Sequence, residues 1–224
     1  MNVRKELFKY KTSKFKDFEA NLVPNINPKN IIGTKSPIQN RIAKSLYKTG
    51  EYKKFVDSVP HKYLEENLVH AHLIAYIKDY DDAMYALKKL LPYIDNWMVS
   101  DTISSNSFAK NKDKLLKFVY KCLNSRKTYT IRVGIIFLKK YFLDNEFTEE
   151  QMNKVLSIKH DDYYVKMMQA WYIADGLIKH KNEFVKVLKT KKIDKFVQNK
   201  SIQKARESYR IPNNLKKELL KYKV

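Results

Sequence analysis

Apolar residues recur mostly at intervals of three and four along the 224-residue chain, a spacing that predicts helices joined by short polar loops. Leu7, Phe8, Phe15, Phe18 and Leu22 open the pattern as one approximate stripe. Residues 21–32, Asn-Leu-Val-Pro-Asn-Ile-Asn-Pro-Lys-Asn-Ile-Ile, hold two prolines and four asparagines and read as extended or turn-like, ending at Gly33. Ser36-Pro37 reads as an N-cap and a first-turn proline, followed by Ile38, Ile42 and Leu46 at helical spacing. Residues 63–77 and 83–91 predict a helix pair broken at Tyr80-Asp81-Asp82 and stopped by Pro92. A short element over 97–103 follows, then a pair over 115–123 and 131–142. Thr148 with Gln151 has the spacing of a capping box. Helices over 164–178, 184–188, 193–209 and 215–220 complete the expectation.

Val133-Gly134-Ile135-Ile136-Phe137-Leu138 is the one run that resembles a buried strand. No second β-branched run exists to pair with it, and a lone strand is not viable, so a helix buried on most sides is the better reading. Helix pairs spaced roughly 35–45 residues apart predict an all-α fold, a helical-repeat solenoid forming a single domain over residues 1–224, although no repeated sequence signature accompanies the spacing.

Composition narrows the function classes. Four glycines, at 33, 50, 134 and 176, cannot make a phosphate-cradling loop. A single cysteine excludes a disulfide framework and a cysteine-based zinc site, and the Phe118–Cys122 spacing puts that thiol in a core. His70 and His72 are two apart and diverge on a helix, and His61, His160 and His180 stand isolated, so no metal and no other cofactor is expected. No apolar run is long enough to span a bilayer and the N-terminus lacks an apolar signal core. The expectation is therefore a cytoplasmic monomer that binds no membrane.

Charge points to the partner. Forty-five Lys+Arg oppose 24 Asp+Glu, a formal net charge of +21, and the excess runs through both halves of the chain. Residues 179–224 alone carry 15 basic and 4 acidic residues. Such charge on a folded domain predicts a polyanionic partner, although lysine-rich composition by itself would also give a solvated surface.

Three segments hold candidate chemistry. Trp97 and Asp101 are four apart and share a helix face, where an indole beside a carboxylate suits a cationic, flat or sugar-like group; a core tryptophan with a capping carboxylate is the plainer alternative. Trp171 closes the Met- and aromatic-rich stretch 163–171. Arg132, one of only six arginines, leads the buried run and suits either a phosphate contact or an ordinary ion pair.

Taken together, GTKSPIQNRIAKSL (33–46), IDNWMVSD (94–101), TYTIRVGIIFLKKYF (128–142), YYVKMMQAW (163–171) and NKSIQKARESYRI (199–211) resemble the AlkD-type DNA alkylation repair proteins, a HEAT-like-repeat family, in the family's order and across about residues 5–222. The resemblance implies a curved α-solenoid of HEAT-like helical repeats with a basic concave face for double-stranded DNA, nucleoid association when bound, and a DNA glycosylase that removes cationic alkylated purines such as N3-methyladenine and N7-methylguanine. It implies that Asp101 is the catalytic carboxylate and that Trp97 and Trp171 flank the lesion's deoxyribose. It further implies that Arg132, with Lys35, Lys166 and Lys204, holds the DNA backbone. One segment departs from the pattern. Well-known members carry a short tyrosine-bearing helix just before the Gly-x-x-x-Pro segment, whereas residues 21–32 here hold no aromatic, as in a sister branch without that recognition element. Two other functions stay open on the residues: a non-catalytic binder of damaged or branched DNA, and a helical-repeat protein-interaction scaffold.

Overall fold

The computed structural model describes the whole chain, Met1 to Val224, and contains fifteen α-helices, three short 3-10 turns and no strand. The architecture is all-α and built from packed helical pairs. It divides into two compact units, Met1–Asp113 and Lys114–Val224.

The first unit contains α1 (Val3–Phe8), α2 (Ser13–Leu22), α3 (Ser36–Lys48), α4 (Tyr52–Val56), α5 (Leu64–Ile74), α6 (Tyr80–Leu90), α7 (Trp97–Thr102) and α8 (Asn106–Lys110). Helix α5 is its centre: it packs on α3, α6 and α7, and Leu68, Val69, Ala71, Leu73 and Ile74 are all buried. The second unit contains most of α9 (Lys112–Leu123), then α10 (Thr128–Tyr141), α11 (Glu149–Leu156), α12 (Tyr163–Lys179), α13 (Lys181–Thr190), α14 (Lys195–Glu207) and α15 (Asn213–Leu219). Its centre is α12, packed on α10, α13 and α14. At the α12–α13 crossing a Cβ on Gly176 would meet the Phe184 ring at 2.3 Å, so this glycine sets how closely the two helices approach.

Several local expectations hold. The 133–138 run lies within α10 and every residue from Ile131 to Leu138 is buried. Thr148 and Gln151 form the capping box that starts α11. Helix α6 stops at Leu90, and Pro92 sits in a 3-10 turn directly after it. Cys122 is buried, and desolvation pushes its thiol up to about 12, which leaves it inert.

Others are corrected. The opening stripe is two helices, not one; Thr12 caps α2 from the break, and Phe8 and Phe18 are exposed rather than buried. Tyr80-Asp81-Asp82 is the first turn of α6, because the Asp79 side chain caps it by accepting from the Asp82 N–H at 2.9 Å. The N-cap of α3 is Lys35, which puts Ser36 inside the first turn with its hydroxyl 3.2 Å from His72 Nε2. Helices α4 and α8 are too short and too polar to register as periodic segments. His61 is not isolated: its Nε2 lies 2.9 Å from His70 Nδ1, and His70 Nε2 lies 3.0 Å from the Ala86 carbonyl.

Candidate functional site

Helix α7 begins where Asn96 turns its side chain to accept the Val99 N–H at 3.0 Å, and this cap makes Trp97 the first helical residue. Four residues on, Asp101 falls on the same face, as the spacing predicts. The indole is fixed in place, for Trp97 Nε1 donates to the Leu22 carbonyl at the end of α2 at 3.0 Å. The following segment adds a second tie, Asn25 Nδ2 to the Asp95 carbonyl at 2.7 Å. Ser100 is fully buried beneath Asp101, with its hydroxyl 2.9 Å from Asp101 Oδ1 and 3.1 Å from the Trp97 carbonyl. The unit thus presents a half-buried carboxylate and a half-buried ring whose orientations are set by neighbours on both sides.

A buried acidic pair joins α2 to the segment that follows it. Glu65, on α5, is fully buried and accepts the backbone N–H groups of Ile32, Gly33 and Thr34. Gly33 adopts φ +90°, which lets those three amides converge, and a Cβ there would strike the Thr12 carbonyl. Glu19, on α2 one turn before Leu22, is 1% exposed beside Glu65, and its Oε2 meets no N–H donor. Burial first, then the neighbouring carboxylate, pushes Glu19 up to about 9, so at neutral pH it holds a proton against Glu65.

In the second unit, Arg132 is 2% exposed. Its Nη1 donates to the Tyr164 carbonyl at 2.8 Å, and its guanidinium carbon stands 5.6 Å from the centroid of the Trp171 ring. Lys139 Nζ lies 5.7 Å from that centroid, so the half-buried indole is held against two cations. One turn beyond Trp171, Asp175 pairs with Lys139 and with Arg210, each at 3.1 Å. This repeats the Trp-x-x-x-Asp spacing of α7, a signal present in the sequence itself. Lys139, Asp175, Leu22 and Asn25 are the supporting residues that sequence reasoning missed; apart from that repeated spacing nothing local marks them, since each acts through a partner distant in the chain.

The three candidate lysines differ in setting. Lys35 is exposed at the start of α3. Lys166 pairs with Asp194 at 3.1 Å and Lys204 with Glu207 at 2.8 Å. Exposed pairs of this kind contribute about 0–1 kcal/mol, so exchanging a carboxylate for a phosphate is a small step.

The fold and this geometry define a class: a strongly basic, all-α helical-repeat protein that presents an oriented carboxylate beside an indole. A family model described as DNA alkylation repair enzyme matches residues 5–187. The chain belongs to that family of DNA alkylation repair proteins. No curated protein matches it. No helix is long and apolar enough to cross a membrane.

Proposed function

We propose that the protein is a monofunctional glycosylase acting on cationic alkylated purines in duplex DNA, with Asp101 as its catalytic residue and residues 1–224 serving as the DNA-binding domain. The observation that carries this reading is the α7 face, where the orientations of Asp101 and Trp97 are both fixed in a chain of this family.

Alkylation at N3 or N7 gives the purine a positive charge, so it departs as a neutral base when the bond from C1′ to the ring nitrogen breaks. Positive charge builds on the sugar in an oxocarbenium-like transition state. The Asp101 carboxylate stabilises that charge and accepts the proton of a water, whose hydroxyl oxygen bonds to C1′. Trp97, its N–H committed to Leu22, offers the sugar a ring face and about 1–2 kcal/mol of cation–π attraction when water is excluded. Trp171 is the second indole assigned to the deoxyribose. Arg132, which the family resemblance sets on the DNA backbone, is assigned instead to positioning this ring, because it is 2% exposed and donates to the Tyr164 carbonyl. Lys35, Lys166 and Lys204 are assigned to backbone phosphates.

The test is incubation with methylated duplex and detection of free N3-methyladenine or N7-methylguanine. The wild-type chain is expected to release base, and Asp101→Asn to lower the rate by about a hundredfold or more while keeping DNA affinity. Equal release by the two proteins would remove Asp101 from the chemistry. Binding without release by the wild type would leave the non-catalytic DNA-binding reading in its place.

A further inference from the structure

The family match ends at residue 187, and residues 188–224 beyond it carry 12 basic against 3 acidic residues. Helix α14 packs on α12 through Val197, Gln198, Ser201, Ile202 and Ala205. On the outward side of the helix, Lys195, Phe196, Asn199, Lys200 and Arg206 line a groove of about 850 Å³, which Lys223 completes.

This groove is organised. Asn199 holds the tail through both of its polar atoms, Nδ2 donating to the Val224 carbonyl at 2.7 Å and Oδ1 accepting from the Val224 N–H at 3.1 Å. Buried Gln198 donates to the Tyr222 carbonyl at 2.7 Å. Lys223 is thereby kept beside the helix. Phe196, packed edge-on against Tyr163, supplies an apolar floor, with Lys200 Nζ 5.7 Å from its ring centroid. The acidic side chain in the lining, Glu207, is already engaged by Lys204 and by Gln203 at 2.8 and 2.9 Å. Lys195, Lys200, Arg206 and Lys223 form no ion pair.

We infer that this groove is a further DNA contact, one that grips the phosphodiester backbone of the duplex. It rests on the DNA-binding reading given above. Lys195 and Arg206 are eleven residues apart, about 16 Å of helix axis. One strand of B-DNA carries a charge about every 3.4 Å of axis, so the groove spans roughly four to five phosphates. Lys200 Nζ donates to Gln203 Oε1 at 2.8 Å, a neutral acceptor that a phosphate can replace. Three cations along one helix, none of them paired with a carboxylate, fit the regular charge of such a strand better than the irregular charge of an acidic peptide.

The experiment measures the affinity of the full chain for an undamaged duplex across a salt series. The variant carries Lys195→Gln, Lys200→Gln and Arg206→Gln, and its urea midpoint checks the fold. A control removes the same charge elsewhere in this unit, through Lys121→Gln, Lys181→Gln and Lys186→Gln. The slope of log affinity against log salt is expected to fall by roughly 2–3 in the groove variant and by less than about 1 in the control. Lys223→Gln alone, which leaves α14 intact, is expected to lower it by roughly 1. Equal slopes in wild type and groove variant, or equal loss in groove variant and control, would overturn the inference while leaving DNA binding intact. Absence of salt-dependent binding by the wild type would instead defeat the underlying DNA reading. Polyglutamate bound with the same groove dependence would overturn the assignment to DNA.

Discussion

Replacing Glu19 with glutamine separates shape from protonation at the buried carboxyl pair. The side chain is 1% exposed, and glutamine keeps its outline while placing an N–H where the protonated carboxyl places an O–H toward Glu65. In the unfolded chain Glu19 titrates near 4.5, whereas in the fold burial and the Glu65 carboxylate raise it to about 9. A raised carboxyl binds its proton more tightly in the folded state. Its contribution is therefore fully present below about pH 4.5 and is lost as pH rises toward 9. Each unit corresponds to about 1.4 kcal/mol, so holding the proton at pH 7.5 costs about 4 kcal/mol, a large share of the roughly 5–15 kcal/mol that stabilises a domain. Urea unfolding of both proteins at pH 5, 7.5 and 9 reads this directly. The variant is expected to match the wild type within about 1 kcal/mol at pH 5 and to exceed it by about 4 kcal/mol at pH 7.5, with the gap widest at pH 9. Parallel stability curves, or a variant weaker than wild type at pH 9, would refute the shared-proton account.

The remaining expectations address other parts of the molecule. Burial lowers His61 to about 4 and His70 to about 3; such groups hold stability above about pH 6.5 and lose it as pH falls. Each should weaken the fold by about 2 kcal/mol between pH 6.5 and 5, and His61→Phe should flatten that acid limb in the same urea assay. Gly176→Ala drives a methyl into the buried Phe184 ring and should lower stability by about 1–3 kcal/mol, read as a fall in melting temperature. Gly50→Ala, at φ +74° with open space around it, should cost about 1 kcal/mol through backbone conformation alone. Arg132→Ala strips the Tyr164 carbonyl of a donor and Trp171 of a cation; a loss of about 1–3 kcal/mol with a changed Trp171 emission is expected, and unchanged stability would show that the guanidinium does not hold the ring.

What the sequence reveals follows physical range. The helices that bury a full face, α10 above all, declare themselves because six consecutive apolar residues without a pairing partner have one solution. Capping residues such as Thr148 act within one turn and are equally legible. The Trp97–Asp101 face is legible for the same reason, being a relation within a single helix. The tether from Leu22, the seat of Trp171 against Arg132 and Lys139, and the hydrogen bond between His61 and His70 join segments far apart in sequence, or depend on which face turns inward. Glu19 and Glu65 are hidden further, since carboxylates in a charged chain look solvated; only the fold brings the two together under the amides of 32–34. Helices of five residues, such as α4 and α8, complete too few turns to leave a period.

The bond from Trp97 Nε1 to the Leu22 carbonyl has one more implication. An indole carries a single donor and no acceptor, so this ring has no means left of reading the edge of a base. It cannot tell adenine from guanine. Whatever ranks one purine above another has to come from donors and acceptors elsewhere in the chain, so on the proposed reading this indole is a seat for the sugar and not a reader of bases.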